Sequence, residues 1–436
     1  METELTRIDR DALNQALLDP QLAVMNFLNE VKLRYPEAIS FSAGRPAEDF
    51  FDVPATLAAV NRFVSDEAAA RNCTPDAVYR DLGQYGRTNG MIGHHLAKHL
   101  AKDEQIHVDP EHIVVTNGCQ EAMALVLITL LRGPDDVLLT ADPTYIGITG
   151  LAALLGITVA PVRCGEDGLD LDDLAATTRR LRAQGKQPRA VYVIPDYNNP
   201  LGSEMTHRRR RDLLACSETL DLLILEDNPY GMFCYDGEPL PTLKSMDRQH
   251  RVIYLGTFSK TLFPSLRIGY LVSDAMVSSR AGTALCLTQN LSMVKSLTSV
   301  NTSPLNQAMV AGVLLECDHA LRDRVAPARD FYRTNRDCML AALAQHIPAH
   351  DSLREQVQWN QPRGGFFMRM TLPFPCDESW LQACAAEAGV IVVPMAYFAL
   401  APGHENQIRL SFCSNTPDEI ERGIAALVAF IRATLD

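Results

Sequence analysis

The sequence has no apolar run long enough to span a bilayer, and its start, METELTRIDRDALNQ, lacks a signal peptide's charged and apolar regions. Both absences point to the cytoplasm. Positive charge is also short: 40 Lys and Arg against 53 Asp and Glu give a net charge of -13. That balance argues against nucleic acid or an anionic membrane as the main partner, and solvated acidic surface explains it. Cysteines number eleven, but no C-x-x-C pair occurs and no His/Cys cluster has zinc-ligand spacing. In a reducing compartment such scattered thiols act as small buried hydrophobes, so no metal and no disulfide is expected. Internal repeats and low-complexity tracts are missing as well.

What remains is the material of a large core. The chain has 436 residues, 47% hydrophobic and 21% charged, enough for two or three structural units. Strand-like segments stand at 113–116 (IVVT), 137–140 (VLLT), 190–195 (AVYVIP), 222–227 (LLILED), 252–256 (VIYLG) and 267–272 (RIGYLV). Amphipathic stretches lie between them, such as 120–132, which Gly133 and Pro134 terminate. This alternation predicts an α/β fold, a mostly parallel sheet with helices on both faces. After residue 315 the pattern changes to a long charged helix over 318–346, the strand GGFFMRM, a helix near 378–388, strands IVVP and IRLSF, and a last helix from Pro417. Three segments are expected: an arm over 1–64 that completes part of the smaller domain, a large domain over 65–315, and a small α+β domain over 316–436. The HRRRR run at 207–211 reads as the solvated face of a helix begun by Thr206, with Leu213 and Leu214 facing inward.

In a doubly wound sheet, ligands bind beyond the carboxyl ends of the strands. The first strand runs into Asn117-Gly118-Cys119-Gln120, where backbone N–H groups at a helix start hold a phosphate; alone, it reads as a plain turn. The second leads to Asp142-Pro143-Thr144-Tyr145, whose tyrosine stacks on a planar ring or simply packs. Asn198-Asn199-Pro200-Leu201-Gly202 follows the third and offers an amide to a phenolate oxygen, or an ordinary turn. The fourth ends in Glu226-Asp227-Asn228-Pro229-Tyr230. A carboxylate at a buried strand end needs a cationic partner such as a protonated pyridine; the alternative is that Asp227 caps the next turn. Last comes TFSKTLFPSLRIGY at 257–270, with Lys260 just past an apolar strand and Thr257, Ser259 and Arg267 around it. A lysine there is useful if it holds an aldehyde cofactor as a Schiff base while the hydroxyls and arginine hold that cofactor's phosphate.

Taken in order, N-G-x-Q, P-T-Y, N-N-P-x-G, E-D-x-P-Y, S-K-x-x-x-P-x-x-R and a late N-x-I-R-L-S-F resemble the fold-type I pyridoxal-phosphate enzymes, specifically the class I/II aminotransferases. The resemblance runs from about Ile39 to the C-terminus. It implies pyridoxal 5′-phosphate as cofactor and Lys260, Asp227 and Tyr145 as the catalytic set. Lys260 would be the Schiff-base lysine and general acid/base, Asp227 would keep the pyridine nitrogen protonated, and Tyr145 would stack on the ring. Tyr230 and Asn199 would bond the ring's O3′. Gly118, Cys119 (through its backbone N–H), Thr257, Ser259 and Arg267 would hold the phosphate. For the substrate, Arg409 would pair bidentately with the α-carboxylate, the backbone of Gly44 would contact the same group, and Asn199 would bind substrate as well as cofactor. Tyr85, in QYGRTNG, would reach the phosphate of a neighbouring subunit, which implies a homodimer with shared active sites.

Departures from the family pattern fall at Leu201, Ser265 and Met395, and Met395 and Arg45 bear on the substrate pocket. The text MNFLNEVKLRYPEAISFSAGRPAEDFFD, with QEAMALVL and PTLKSMDR, resembles a branch of bacterial specialised metabolism that includes the dihydroxyphenylglycine aminotransferases. The activity so implied is amino transfer between an aromatic or bulky L-amino acid and a 2-oxo acid. Phe50, Phe51 and Tyr397 either line an apolar side-chain pocket or belong to the core, and the core is favoured. The same scaffold hosts lyases, cyclases and replacement enzymes. A non-catalytic cofactor sensor is the remaining alternative, disfavoured because a cofactor fold starting near residue 39 leaves no room for a helix-turn-helix domain.

Overall fold

The computed structural model describes residues 6–18, 24, 27, 30–278, 282 and 284–435. After a short strand β1 (Ile39–Ser40), the chain lays down β2 (Ile113–Thr116), β3 (Asp136–Asp142), β4 (Thr158–Gly165), β5 (Gly168–Leu169), β6 (Gln187–Val193), β7 (Leu223–Asp227), β8 (Val252–Thr257) and β9 (Gly269–Val272). These last eight form one sheet in the order β2-β9-β8-β7-β6-β3-β4-β5. Pairings from β8 through β7, β6 and β3 to β4 are all parallel, whereas β9 runs antiparallel to both its neighbours. Every residue of β2 and β3 is buried, so both faces are covered, and that is why these strands read as unbroken apolar runs. Strand β4 escapes the sequence reading because exposed Arg163 and Gly165 interrupt its apolar pattern.

Helix Cys119–Leu130 ends two residues before the expected stop, because Leu131 turns to extended backbone. Helix Val53–Ala70 runs through the boundary expected between residues 64 and 65 and packs on helix Pro304–Glu316. The approach is close at Gly312, where a Cβ would lie 2.0 Å from the Ala59 carbonyl oxygen. The long helix expected over 318–346 begins only at Ala326 and ends at His346. Asp318 and His319 have φ of 48° and 63°, which a helix cannot continue through, and Pro327 suits its first turn.

A hairpin of β10 (Met276–Ser278) and β11 (Ala284–Cys286) leads into helix Leu287–Thr298. The smaller body holds β12 (Gln358–Trp359), β13 (Phe367–Thr371), β14 (Val390–Ile391), β15 (Val393–Pro394) and β16 (Gln407–Ser411). Four of them form an antiparallel sheet in the order β12-β13-β16-β15. Strand β14 instead pairs in parallel with β1, Ile39 opposite Val390. Helix Pro417–Leu435 closes this body by burying Ile420, Ile424, Leu427 and Ile431. Gly423 lets Phe41 of the arm lie against that helix, since a Cβ there would stand 2.6 Å from the Phe41 ring.

The basic run needs correcting. Thr206 does cap helix His207–Thr219, its side chain accepting the Arg209 N–H, and Leu213 is buried. Arg210, however, is completely buried rather than solvated. It shares the inner face with Leu213 and Ser217, as helical spacing dictates, and its guanidinium pairs with Asp196 at 2.5 Å. Among the described residues, no helix is long and apolar enough to cross a membrane.

Candidate active site

The loops after β2, β3, β6, β7 and β8 open on a cavity of about 790 Å³, closed by residues of β13, β16 and the 395–398 turn. Of the site residues expected from sequence, all but Gly118 and Tyr85 line it. Gly118 sits behind the wall as N-cap of helix Cys119–Leu130, and Tyr85 is 78% exposed at the molecular surface.

At the floor, Asp227 ends β7 and is almost fully buried. Its Oδ2 accepts the Tyr192 hydroxyl at 2.6 Å and its Oδ1 accepts the Cys119 thiol at 3.3 Å. Burial pushes the carboxyl up to about 6, opposed by the Tyr192 and Cys119 bonds and by Lys260. Burial likewise raises Cys119, so its thiol is a donor here and not a thiolate. Tyr145, at the start of helix Ile146–Leu154, is pushed up to about 12 by burial. Its ring folds over Gly147, where a Cβ would come within 2.3 Å. Tyr230 is buried and meets Phe366 and Phe367 edge-on, at ring separations of 5.3 Å and 5.7 Å.

At one end, the backbone forms an anion cradle. Gly118 takes φ of 76°, so that the N-terminus of helix Cys119–Leu130 faces the cavity. A Cβ on Gly118 would lie 2.3 Å from the Arg267 guanidinium, so glycine lets the arginine close over this turn. Arg267 itself adopts φ of 51° and, among the described residues, bonds the carbonyls of Asn117 and Pro264. Thr257 and Ser259 join hydroxyls at 3.1 Å beside it.

Lys260 donates Nζ to the Gly44 carbonyl at 2.8 Å. Burial lowers its pKa, with Arg409 and Arg45 pushing the same way and Cys413 and Asp227 opposing. Arg409, from β16, is 6% exposed and stacked between Phe367 and Phe398, 4.4 Å and 4.7 Å from the ring centroids. Its guanidinium bonds Asn199 Oδ1 at 2.8 Å and the Ser42 carbonyl at 2.5 Å, while Nε has no partner. Burial lowers this group to about 10, so it stays a cation at neutral pH. Among the described residues, Lys260, Arg267 and Arg409 therefore bond neutral oxygens alone. Three cations around one cavity, of which Arg409 is buried, Lys260 half-buried and Arg267 exposed, favour a ligand bearing anionic groups.

Phe50, Phe51 and Tyr397 do not line this cavity. Phe50 packs on Phe331, Phe51 on Phe263 and Tyr397 on Phe27. Leu201 is buried, with its N–H taken by Asn198 Oδ1. Met395 is buried outside the lining, whereas exposed Arg45 is part of it. Sequence reading missed Phe367 and Phe398, which sandwich Arg409, and Ser42, whose carbonyl aims it. Phe367 sits inside GGFFMRM, a stretch read as a strand, and nothing local marks it as facing a site.

The chain matches the family model for aminotransferase class I and II over residues 48–427. It belongs to that family. It is 41% identical to (S)-3,5-dihydroxyphenylglycine transaminase of Amycolatopsis orientalis over 99% of this chain and 96% of that one. It is also 29% identical to aromatic-amino-acid aminotransferase 1 of Thermococcus litoralis, over 91% and 88% of the two chains. Among solved structures, kynurenine aminotransferase of Pyrococcus horikoshii in complex with PMP superposes with a TM-score of 0.79 at 29% identity, covering 95% of each chain.

Proposed function

We propose that the protein is a pyridoxal 5′-phosphate-dependent aminotransferase that moves an amino group between an aromatic or bulky L-amino acid and a 2-oxo acid. The observation that carries this reading is one cavity in which a lysine and two arginines, among the described residues, bond neutral oxygens alone, opposite a buried carboxylate. These residues fit the cofactor's groups: the Gly118 turn with Arg267, Thr257 and Ser259 for the phosphate, Asp227 for the ring nitrogen, Lys260 for the aldehyde. When bound, pyridoxal phosphate supplies a carbon that carries the amino group and a ring that draws electrons from the substrate Cα.

The protein's own part is binding, orientation and proton transfer. Asp227 offers a charge to a protonated ring nitrogen, and Tyr145 and Tyr230 flank the ring. Arg409 turns the substrate by its α-carboxylate, with Phe367 and Phe398 keeping water from the guanidinium. Lys260, lowered by burial, is suited to take the proton at Cα and return it. Met123, Ile146 and Ile194 give the cavity an apolar wall for a bulky side chain, in keeping with the relatives' aromatic substrates.

The reading extends to a cytoplasmic homodimer. All eleven cysteines are free thiols, as a reducing compartment favours. Tyr85, Met293 and Leu297 are 78%, 62% and 85% exposed, large side chains of the kind a second copy covers. The test of the chemistry is to mix cofactor-loaded protein with single amino acids. Stoichiometric pyridoxamine phosphate and a keto acid are expected. Eliminated or cyclised products without pyridoxamine phosphate would assign the protein to the lyase class of the same scaffold.

A further inference from the structure

The two oxygens of Asp227 are held from different sides. Strands β6 and β7 are parallel neighbours with Tyr192 opposite Leu225. Asp227 lies two residues beyond Leu225 on β7, so its side chain shares a sheet face with the Tyr192 phenol. The resulting bond, Tyr192 hydroxyl to Oδ2 at 2.6 Å, joins two residues that are 0% and 3% exposed. Cys119 reaches the other oxygen, Oδ1, at 3.3 Å. Cys119 lines the cavity, and Tyr192 does not. One oxygen is thus anchored within the protein, while the other lies at the cavity wall beside a weak thiol donor.

A carboxyl buried this deeply keeps its proton unless donors hold its charge. The groups facing Asp227 are Cys119 from the helix after β2, Tyr192 from β6 and Lys260 after β8, with Tyr145 and Tyr230 nearby. Burial raises both of these last two, which stay neutral phenols. Of the donors bonded to the carboxylate, Tyr192 makes the short bond, and it is the one a ligand in the cavity does not meet.

We propose that Tyr192 is the positioning residue of Asp227: its hydroxyl anchors Oδ2, keeps the carboxylate anionic and leaves Oδ1 for the cofactor's ring nitrogen. The inference rests on the cofactor reading above. The alternative is a buried phenol that merely satisfies itself on the nearest acceptor. The two differ in how cofactor affinity depends on pH. Without the hydroxyl, Asp227 rises above about 6, and protons compete with the cofactor at a higher pH.

The experiment titrates apo wild-type and Tyr192→Phe protein with pyridoxal phosphate at about pH 6 and about pH 8, reading Kd from fluorescence. The ratio of the two Kd values should rise about fivefold in the variant, with little change at the higher pH. An unchanged ratio overturns the proposal, whereas wild-type protein that binds no cofactor overturns the functional reading instead. If Tyr192→Phe does not fold, Cys119→Ser serves. Its stronger donor on Oδ1 should lower the ratio, and a ratio equal to wild type would show that hydrogen bonds do not govern Asp227.

Discussion

Arg409→Lys should separate the proposed substrate contact from the proposed cofactor contacts, because Arg409 is stacked between Phe367 and Phe398. The guanidinium has five N–H groups, of which one serves Asn199 and one the Ser42 carbonyl. Three remain, including the unpartnered Nε, enough for a two-pronged grip on an α-carboxylate. A lysine ammonium that kept the same two acceptors would have one N–H left. The variant therefore loses one charge-assisted hydrogen bond to substrate, about 1.5–3 kcal/mol, or roughly 10- to 100-fold in kcat/KM. It also loses planar stacking between Phe367 and Phe398, which adds to the deficit. The assay is steady-state kinetics with a bulky amino acid, beside a pyridoxal phosphate titration of the apo protein. Cofactor Kd should stay within about twofold, because Asp227 and the residues proposed for the phosphate are untouched. A kcat/KM within about threefold of wild type would refute the α-carboxylate role. A collapse of cofactor affinity would move Arg409 to the cofactor side of the site.

Two further outcomes are expected. Asp227→Asn should abolish amino transfer yet stabilise the apo protein at neutral pH. Folding raises this carboxyl from 3.8 to about 6, so its contribution is present below about pH 4 and lost as pH rises through about 6, some 3 kcal/mol at most. Urea unfolding of the apo variant at neutral pH checks this, and equal or lower stability than wild type contradicts it. Leu297→Lys places a charge on a side chain that is 85% exposed in the single chain. Sedimentation velocity should show a dimeric wild type and a dissociated variant, and a variant that stays dimeric would place the interface elsewhere.

The strand ends were legible because their chemistry is local. Gly118, Asp227 and Lys260 each lie next to a short apolar run, and such a run in a doubly wound sheet ends at the ligand crevice. What the sequence hid depends on register and on contacts far along the chain. Tyr192 reads as one more apolar strand residue until the parallel pairing of β6 with β7 brings it beside Asp227. Arg210 reads as one of five basic surface residues until helix phase turns it inward onto Asp196. The late start of helix Ala326–His346 is set by the positive φ values at Asp318 and His319, for which neither residue type gives a warning as plain as glycine. Strand β4 stays hidden because one of its faces is open to water, which breaks the unbroken apolar run that marks strands buried on both faces.

Phe367 explains why the site needs both bodies. Its ring stacks on Arg409 and meets Tyr230 edge-on, so one side chain touches a residue proposed for substrate and one proposed for the cofactor. Two glycines, Gly44 of the N-terminal arm and Gly202 of the loop after β6, approach it closely. A Cβ on Gly44 would lie 2.5 Å from its ring, and one on Gly202 would lie 2.3 Å from its carbonyl oxygen. Gly44 in turn holds Lys260 through its carbonyl, and Gly202 follows the Asn199 turn that bonds Arg409. A shift of β13 would move Lys260's acceptor, Arg409's stacking partner and Tyr230's neighbour together. The spacing of Lys260, proposed for proton transfer, and Arg409, proposed for the carboxylate, is thus set by packing around Phe367, whose ring Gly44 admits and whose backbone Gly202 admits.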